Sequence, residues 1–317
     1  MTRTPNGRRP ARRTAIALVA LASASALAAC ANSSSLEGSA DSGASSSSSS
    51  ATTTLAVGSQ DYYSNEIIAE TYAQALEAAG YTVDRQFRIG QREVYMPEIQ
   101  SGSIDVFPEY TGNLLQYLDS TATATKAEDV YAALTKAMPS GLRVLDAAPA
   151  TDQDTYVVTK EFADAHSASS IGDLKGVEGL VLGGNSELET RPYGPKGLAT
   201  VYGVNVSFTP IEDSGGALTL KALRDGSVQL VDVYSADPAL ASSDLVTLAD
   251  PEGMFLASQV VPVVSSRVDA DAAAVINTVS AALDPADLVE MNRESTQDAA
   301  SASAIAKKWL AAEGIVK

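Results

Sequence analysis

The chain has 317 residues, of which 39 are Asp or Glu, 22 are Lys or Arg and one is His, so its formal net charge is −17. Nucleic-acid binding requires a cationic face, and a chain this acidic is therefore expected to bind no nucleic acid. A single Cys excludes a disulfide framework and a Cys-cluster zinc site, and a single His excludes a His-rich metal site. We expect neither a metal nor a cofactor.

The first 30 residues have the pattern of a secretion signal. A stretch rich in Arg, residues 8–13, precedes an apolar stretch, residues 14–26, which is shorter than the ~20 residues of a spanning helix. Residues 27–30, Leu-Ala-Ala-Cys, resemble the lipobox of bacterial lipoproteins, and this implies that Cys30 carries a lipid. The alternative for Cys30 is a buried core cysteine. The paired arginines leave both the Sec and the twin-arginine export routes open.

Residues 31–54 are predicted to be a flexible tether. Eleven serines fall within residues 31–50, which leaves too little apolar surface to offset the entropy of ordering the segment. A lipid, a tether and a folded body together describe an extracytoplasmic protein, anchored by its lipid to the outer face of the cell membrane.

The folded body begins at about residue 55 and alternates strands with helices. In its first part we predict strands over 55–57, 82–87, 104–107, 143–145 and 155–159, and helices over 65–79, 94–100, 114–118 and 127–138. Further along we predict strands over 180–182, 206–209 and 229–233, and helices over 197–202, 217–223, 272–283, 286–292 and 302–312. This alternation predicts an α/β fold of parallel sheets with helices on both faces, and the body is long enough for two domains.

One pattern occurs twice in the body. Helical residues are followed by a glycine, a strand and then a tyrosine, first at Gly102 and Tyr110 and again at Gly226 and Tyr234. Ligands of open parallel sheets bind beyond the carboxyl ends of the strands. Two such sheets facing each other would direct both tyrosines into one crevice. The alternative is that each tyrosine packs in the core of its own domain.

Six segments resemble, in the same order, the substrate-binding lipoproteins of ABC importers for glycine betaine, choline and related osmoprotectants. They are residues 58–62, 90–94, 104–112, 148–150, 221–223 and 232–234. The Pro-Glu-Tyr-Thr-Gly run that follows an Ile-Asp strand is the most specific of them, and the resemblance covers about residues 55–316.

The resemblance implies a two-lobed type II periplasmic-binding-protein fold, with two parallel or mixed sheets flanked by helices and two crossover strands. The crossings should fall near residues 150–155 and 251–256. Lobe one would comprise residues 55–150 plus 256–317, and lobe two residues 151–255. The implied partners are a small quaternary ammonium or zwitterionic solute and an ABC permease in the membrane. A solute that contacts both lobes stabilises the closed form.

A quaternary ammonium cannot donate a conventional hydrogen bond, and a cage of tyrosine rings is a recurring way to bind one. Tyr is also far commoner here than Phe, 12 against 5. The resemblance implies six ligand-binding residues: Tyr110, Tyr156, Tyr234, Arg191, Gln60 and Asn113. The three tyrosines would form the cage, Arg191 would bind a carboxylate, and the two amides would make polar contacts.

The chain departs from the family's pattern at two tyrosine positions. Ser258 and Leu220 stand where many members have a tyrosine. The candidates for replacing these missing walls are Tyr62, Tyr63, Tyr95 and Tyr193.

Other functions remain open at this point. The same fold could bind a different solute, such as an amino acid, a thiol-imidazole betaine or an anion. An enzyme is disfavoured, because the sequence contains no Gly-x-Ser-x-Gly elbow, no phosphate-binding Gly-x-x-x-x-Gly-Lys loop and no His-Glu-x-x-His pair. A purely structural surface lipoprotein is a third possibility, which the two-lobed pattern disfavours.

Overall fold

The computed structural model describes residues 53–317. The predicted signal segment, the lipidation site at Cys30 and all of the tether before residue 53 lie outside the described residues.

Ten strands are formed in the described part of the chain. They are β1 (Thr54–Gly58), β2 (Thr82–Gln86), β3 (Val106–Tyr110), β4 (Leu142–Val144), β5 (Asp154–Thr159), β6 (Val181–Gly184), β7 (Ser207–Pro210), β8 (Leu230–Tyr234), β9 (Leu245–Thr247) and β10 (Val260–Ser265).

The α-helices of the same part are α1 (Tyr63–Ala78), α2 (Arg92–Ser101), α3 (Thr111–Leu118), α4 (Ala127–Ala137), α5 (Lys160–His166), α6 (Pro195–Gly197), α7 (Ala217–Arg224), α8 (Ala270–Ala282), α9 (Pro285–Thr296) and α10 (Ala302–Ala312). Short 3-10 turns occur at Ile171–Leu174, Ser186–Thr190 and Pro238–Ala241, and a π-helical turn, Leu198–Tyr202, continues α6.

The strands form two five-stranded sheets of mixed direction, with the orders β2-β1-β3-β10-β4 and β7-β6-β8-β5-β9. In the first sheet β1 runs parallel to β2 and β3, whereas β10 is antiparallel to β3 and β4. In the second sheet β6 runs parallel to β7 and β8, whereas β5 is antiparallel to β8 and β9. Two mixed sheets flanked by helices confirm the predicted α/β fold class.

We use lobe one for the first sheet with its helices and lobe two for the second. The chain passes from lobe one to lobe two between β4 and β5, and it returns between β9 and β10. Thr151 and Gln259, one on each connection, form an antiparallel bridge. Phe255 packs in the core of lobe two and Leu256 in that of lobe one, so the polypeptide changes lobes next to this bridge.

Helix α1 shows how the pattern of apolar residues builds lobe one. Ile68, Tyr72 and Leu76 recur at every fourth position, so they lie on one face of the helix, and all three are fully buried. The Tyr72 hydroxyl is 3.0 Å from the Ser280 hydroxyl of α8, which satisfies both buried groups.

Strands β9 and β10 and helix α5 were not predicted. β10 is Val-Val-Pro-Val-Val-Ser and is buried along its whole length, so it has none of the alternation that marks a strand with one solvated face. It also contains a proline, which normally argues against a central strand. Pro262 is tolerated because its nitrogen faces the end of β4 and not β3. Its carbonyl accepts from the Leu145 backbone nitrogen at 2.9 Å, and the Leu145 carbonyl accepts from the Tyr131 hydroxyl at 3.0 Å in place of the missing proline donor.

Among residues 53–317 no single helix is long and apolar enough to cross a membrane. Only α8 and α9 taken together pass that test of length and composition, and they are bent by 89° at the break between them.

Candidate ligand-binding site

A cleft lies between the two lobes, where β1, β3 and β8 end and β5 begins. Four tyrosines line it, two from each lobe: Tyr62 and Tyr110 from lobe one, and Tyr193 and Tyr234 from lobe two. The ring centroids of Tyr62 and Tyr234 are 5.0 Å apart, with their planes inclined by 51°, so the two lobes touch through aromatic faces. Burial raises the pKa of all four phenols, so the rings stay neutral even at alkaline pH.

The ends of two strands position two of these rings. Tyr110 is the last residue of β3 and Tyr234 the last of β8, so the repeated glycine–strand–tyrosine pattern does bring both tyrosines into one cleft. Tyr62 immediately precedes α1. The Tyr110 hydroxyl accepts a hydrogen bond of 3.3 Å from Asn65 Nδ2, which fixes the ring from within α1.

The glutamate of the Pro-Glu-Tyr-Thr-Gly run holds the backbone beneath Tyr110. Arg92 donates to both oxygens of Glu109, at 2.7 and 2.9 Å, and this pair is buried. The Tyr110 backbone nitrogen donates to Glu109 Oε2 at 2.9 Å, and the Tyr95 hydroxyl donates to Glu109 Oε1. Tyr95 stacks on Phe107 with the ring centroids 4.0 Å apart, so it belongs to the core and not to the cleft.

Tyr156 does not line the cleft, contrary to the sequence-based expectation. Because β5 runs antiparallel to β8, its first residue, Asp154, lies opposite Tyr234 at the end of the strands that faces the cleft. Tyr156 lies two residues further from the cleft. The Tyr156 hydroxyl donates to the Tyr193 carbonyl at 2.5 Å, and its ring packs edge-on against Phe255. Tyr156 therefore supports Tyr193, and Tyr193 supplies the ring that faces the cleft.

Among the candidates for the missing walls, two line the cleft and two do not. Tyr62 and Tyr193 face it, whereas Tyr95 is in the core and Tyr63 donates from its hydroxyl to Asp237 at 3.1 Å. Of the positions that lack the family's tyrosine, Leu220 is buried in the core of lobe two.

Asn113 connects the lobes at the rim of the cleft. Its Nδ2 donates to the Tyr193 hydroxyl at 3.0 Å and to Asp154 Oδ2, both in lobe two. Its Oδ1 accepts a hydrogen bond of 2.5 Å from the Ser258 hydroxyl. Ser258 therefore has a defined part here, since it orients the amide that spans the two lobes.

Gln60 and Arg191 also line the cleft, as the resemblance implies. Gln60 is 4% exposed and its backbone nitrogen donates to Asn65 Oδ1 at 2.8 Å. Its Nε2 is buried and has no hydrogen-bond partner among residues 53–317. Arg191 donates to both carboxylate oxygens of Glu93, at 2.6 and 3.2 Å, and Glu93 belongs to α2 in lobe one. This ion pair joins the two lobes.

Four carboxyl groups line the same cleft and were not foreseen: Asp152, Asp154, Glu187 and Asp232. Asp152 accepts from the Ser64 hydroxyl at 2.7 Å, and burial raises the pKa of Asp152 to about 7. Burial also raises the pKa of Asp232 and of Glu187. Asp232 stands two residues before Tyr234 on β8, and the alternation of side chains along a strand places both on the same face.

The cleft therefore combines neutral aromatic faces with an excess of carboxyl groups, an arrangement suited to an organic cation. Within residues 53–317 no group of three or more His, Cys, Asp or Glu side chains is placed to hold a metal ion.

Comparison with known proteins agrees with this geometry. The family model for the substrate-binding domain of the ABC-type glycine betaine transport system matches residues 53–312. The glycine betaine-binding protein YehZ of Escherichia coli (strain K12) is 27% identical over 279 residues, which cover 83% of this chain and 92% of that protein.

Two solved structures share the two-lobed fold. A glycine betaine/carnitine/choline ABC transporter structure superposes with a TM-score of 0.66 at 18% identity, over 82% of this chain and 99% of the other. The closed, liganded lactococcal OpuAC in complex with glycine betaine superposes with a TM-score of 0.60 at 15% identity, over 83% of this chain and 96% of the other.

Proposed function

Because the chain belongs to the family of substrate-binding domains of ABC-type glycine betaine transport systems, we propose that its cleft captures a quaternary ammonium compound and that the closed protein delivers this solute to a membrane permease. Glycine betaine, choline and carnitine belong to this class. The observation that supports the proposal is the set of four tyrosines, two from each lobe, at one cleft. The protein would act as a receptor that binds its solute without turnover.

The proposal has a simple physical basis. A methylated cation cannot accept or donate a conventional hydrogen bond, but each aromatic face offers it about 0.5–2 kcal/mol once water is excluded. Since the faces come from both lobes, the solute stabilises the closed form by its contacts with both. Solute affinity thereby includes the free energy of closure.

We assign the walls of the cage to Tyr62, Tyr110, Tyr193 and Tyr234, with no ligand contact from Tyr156. Two amides complete the site. Gln60 supplies a buried Nε2 donor that has no protein partner in the described residues, and Asn113 fixes Tyr193 at the rim. Arg191 can contact a solute carboxylate through the N–H groups that Glu93 leaves free, but its charge is already balanced by Glu93, whose two oxygens both accept from its guanidinium.

We also propose that the protein is extracytoplasmic and lipid-anchored through Cys30, on the strength of the lipobox-like run at residues 27–30 and the serine-rich segment after it. Cys30→Ser should move the protein from the membrane fraction into the medium, whereas Ser34→Ala, a control in the tether, should leave it attached. Continued membrane attachment of Cys30→Ser would refute the anchor.

A thermal-shift screen of the purified protein tests the receptor function. The screen compares glycine betaine, choline, carnitine and a panel of amino acids. A bound ligand at 100 times its Kd adds ~2.7 kcal/mol to the free energy of unfolding, which a melting curve resolves easily. Stabilisation by an amino acid and by no quaternary ammonium would reject the proposal, and chemical conversion of a bound compound would favour an enzyme.

A further inference from the structure

The lining of the cleft is acidic beyond what its own cations neutralise. Four carboxyl groups face two guanidiniums, Arg92 and Arg191. Each guanidinium already donates to both carboxylate oxygens of a glutamate: Arg92 to Glu109, and Arg191 to Glu93. The two positive charges that line the cleft are therefore balanced by Glu109 and Glu93. The four carboxyl groups of the lining have no cation left to pair with.

Two of these carboxyl groups form a pair at the edge of lobe two. Asp154 lies opposite Tyr234, and Asp232 lies opposite Tyr156, so Asp154 and Asp232 are diagonal neighbours on the same face of β5 and β8. Burial raises the pKa of Asp232, and so do the repulsion by Asp154 and a side-chain hydrogen bond between the two carboxyl groups. A pair of buried carboxyl groups side by side is costly unless a positive group approaches it.

One oxygen of this pair accepts no hydrogen bond from outside the pair. Asp232 is 8% exposed, and no backbone or side-chain donor outside the pair bonds its buried Oδ1 among residues 53–317. Asp154 Oδ2, by contrast, accepts from Asn113. A buried acceptor left without a donor costs about as much as a lost hydrogen bond, so this oxygen marks a place where a ligand donor fits.

We propose that the Asp154–Asp232 pair is a subsite for a hydrogen-bond donor, and that the solute is a quaternary ammonium compound of net positive charge carrying a hydroxyl, as choline does, in preference to a zwitterionic betaine. This inference rests on the proposed function. The trimethylammonium group lies among the tyrosines, and the hydroxyl donates to Asp232 Oδ1. A betaine carboxylate in the same place meets the carboxyl pair and finds the charge of Arg191 already balanced by Glu93.

Choline and glycine betaine form a matched pair for the test, since they share the trimethylammonium group and differ at the other end. The methyl ether of choline is a third probe, because it keeps the charge and loses the donor. Isothermal titration of the intact purified protein should show choline binding about tenfold or more tighter than glycine betaine, and several-fold tighter than its methyl ether.

Asp232→Asn should narrow the difference between choline and glycine betaine, because it removes charge from the subsite and keeps the side-chain shape. Asp154→Asn is a second variant with the same expectation, and melting curves report whether each is folded. Asp244→Asn, an equal charge change at an exposed ion pair on the far edge of lobe two, should leave the difference unchanged.

Two results overturn the inference. One is a wild-type affinity for glycine betaine equal to or above that for choline. The other is an equal loss of both affinities in Asp232→Asn and Asp154→Asn. A failure of every quaternary ammonium to bind is a different result, since it refutes the proposed function itself and the inference with it.

Discussion

Substitution of Glu93 by Gln distinguishes two roles of Arg191: joining the two lobes through an ion pair, and attracting the carboxylate of a ligand. In the structure Arg191 joins lobe two to Glu93 of lobe one through two hydrogen bonds, with side-chain exposures of 11% for Arg191 and 51% for Glu93. Because Glu93 is half exposed, solvent screens the pair, and we take its contribution to closure as about 1 kcal/mol, or roughly fivefold in affinity. Loss of this ion pair should lower the affinity for every ligand by up to about fivefold.

The freed guanidinium adds a second effect that depends on the ligand. It attracts the carboxylate of glycine betaine and repels the net charge of choline, so the ratio of choline affinity to betaine affinity should fall by about fivefold in Glu93→Gln. Titration calorimetry with both ligands on the wild type and the variant measures this ratio.

Glu290→Gln is the matched control. Glu290 forms a two-bond ion pair with Arg293 inside α9, at 2.8 Å for each bond, and is exposed to a similar degree. This control should change neither affinity. An unchanged ratio in Glu93→Gln would refute the reasoning, because Arg191 would then be insensitive to its partner across the cleft.

Three further predictions concern the tyrosines and the connection between the lobes. Tyr234→Ala should weaken a quaternary ammonium by ~1–2 kcal/mol in titration calorimetry, while Tyr234→Phe keeps most of the affinity; equal affinity of Tyr234→Ala and wild type would remove the ring from the cage. Tyr156→Phe leaves the Tyr193 carbonyl without its donor, so denaturant unfolding should show a loss of about 1 kcal/mol with the choline-to-betaine ratio kept, and a changed ratio would contradict our placement of Tyr156 in the core. Burial raises the pKa of Asp152 to about 7, so the folded state binds an extra proton between about pH 4 and 7. The free energy of unfolding should therefore fall as pH rises through that window, by at most ~1.4 kcal/mol per pH unit. In Asp152→Asn the free energy of unfolding should depend less on pH. An equal slope in both proteins would show that Asp152 does not titrate there.

Local sequence signals were sufficient where the site depends on the end of a strand. Tyr110 and Tyr234 each follow a glycine turn and a buried strand, and the carboxyl end of such a strand reaches the ligand edge of a parallel sheet. Both tyrosines accordingly line the cleft.

Local sequence signals were insufficient where the direction of a strand decides which of its residues lies at the cleft. Tyr156 lies on β5, which runs antiparallel to β8, so the residue at the cleft edge is Asp154 at its beginning. Nothing within residues 154–159 encodes that direction, since it follows from the path of the chain between the lobes. β10 was missed for a related reason, because a strand buried on both faces has no alternating pattern to detect.

The acidic lining could have been inferred only in part. In a chain with 39 acidic residues, the position of one carboxylate in the sequence does not indicate whether it lines a binding site. Asp154 and Asp232 are separated by most of lobe two, and only the pairing of β5 with β8 makes them neighbours. Their significance therefore arises from register, which the sequence did not reveal.

The most direct measurement of the central claim compares choline with 3,3-dimethylbutan-1-ol, its uncharged isostere with carbon in place of nitrogen. The two molecules have the same shape and the same hydroxyl, so they differ in the charge that the tyrosine faces and the carboxyl pair would recognise. We predict that titration calorimetry on the wild-type protein gives choline an affinity at least about tenfold higher, which corresponds to ~1.4 kcal/mol. Equal affinities would mean that the cleft selects an apolar shape and not a methylated cation, and that result would contradict the account.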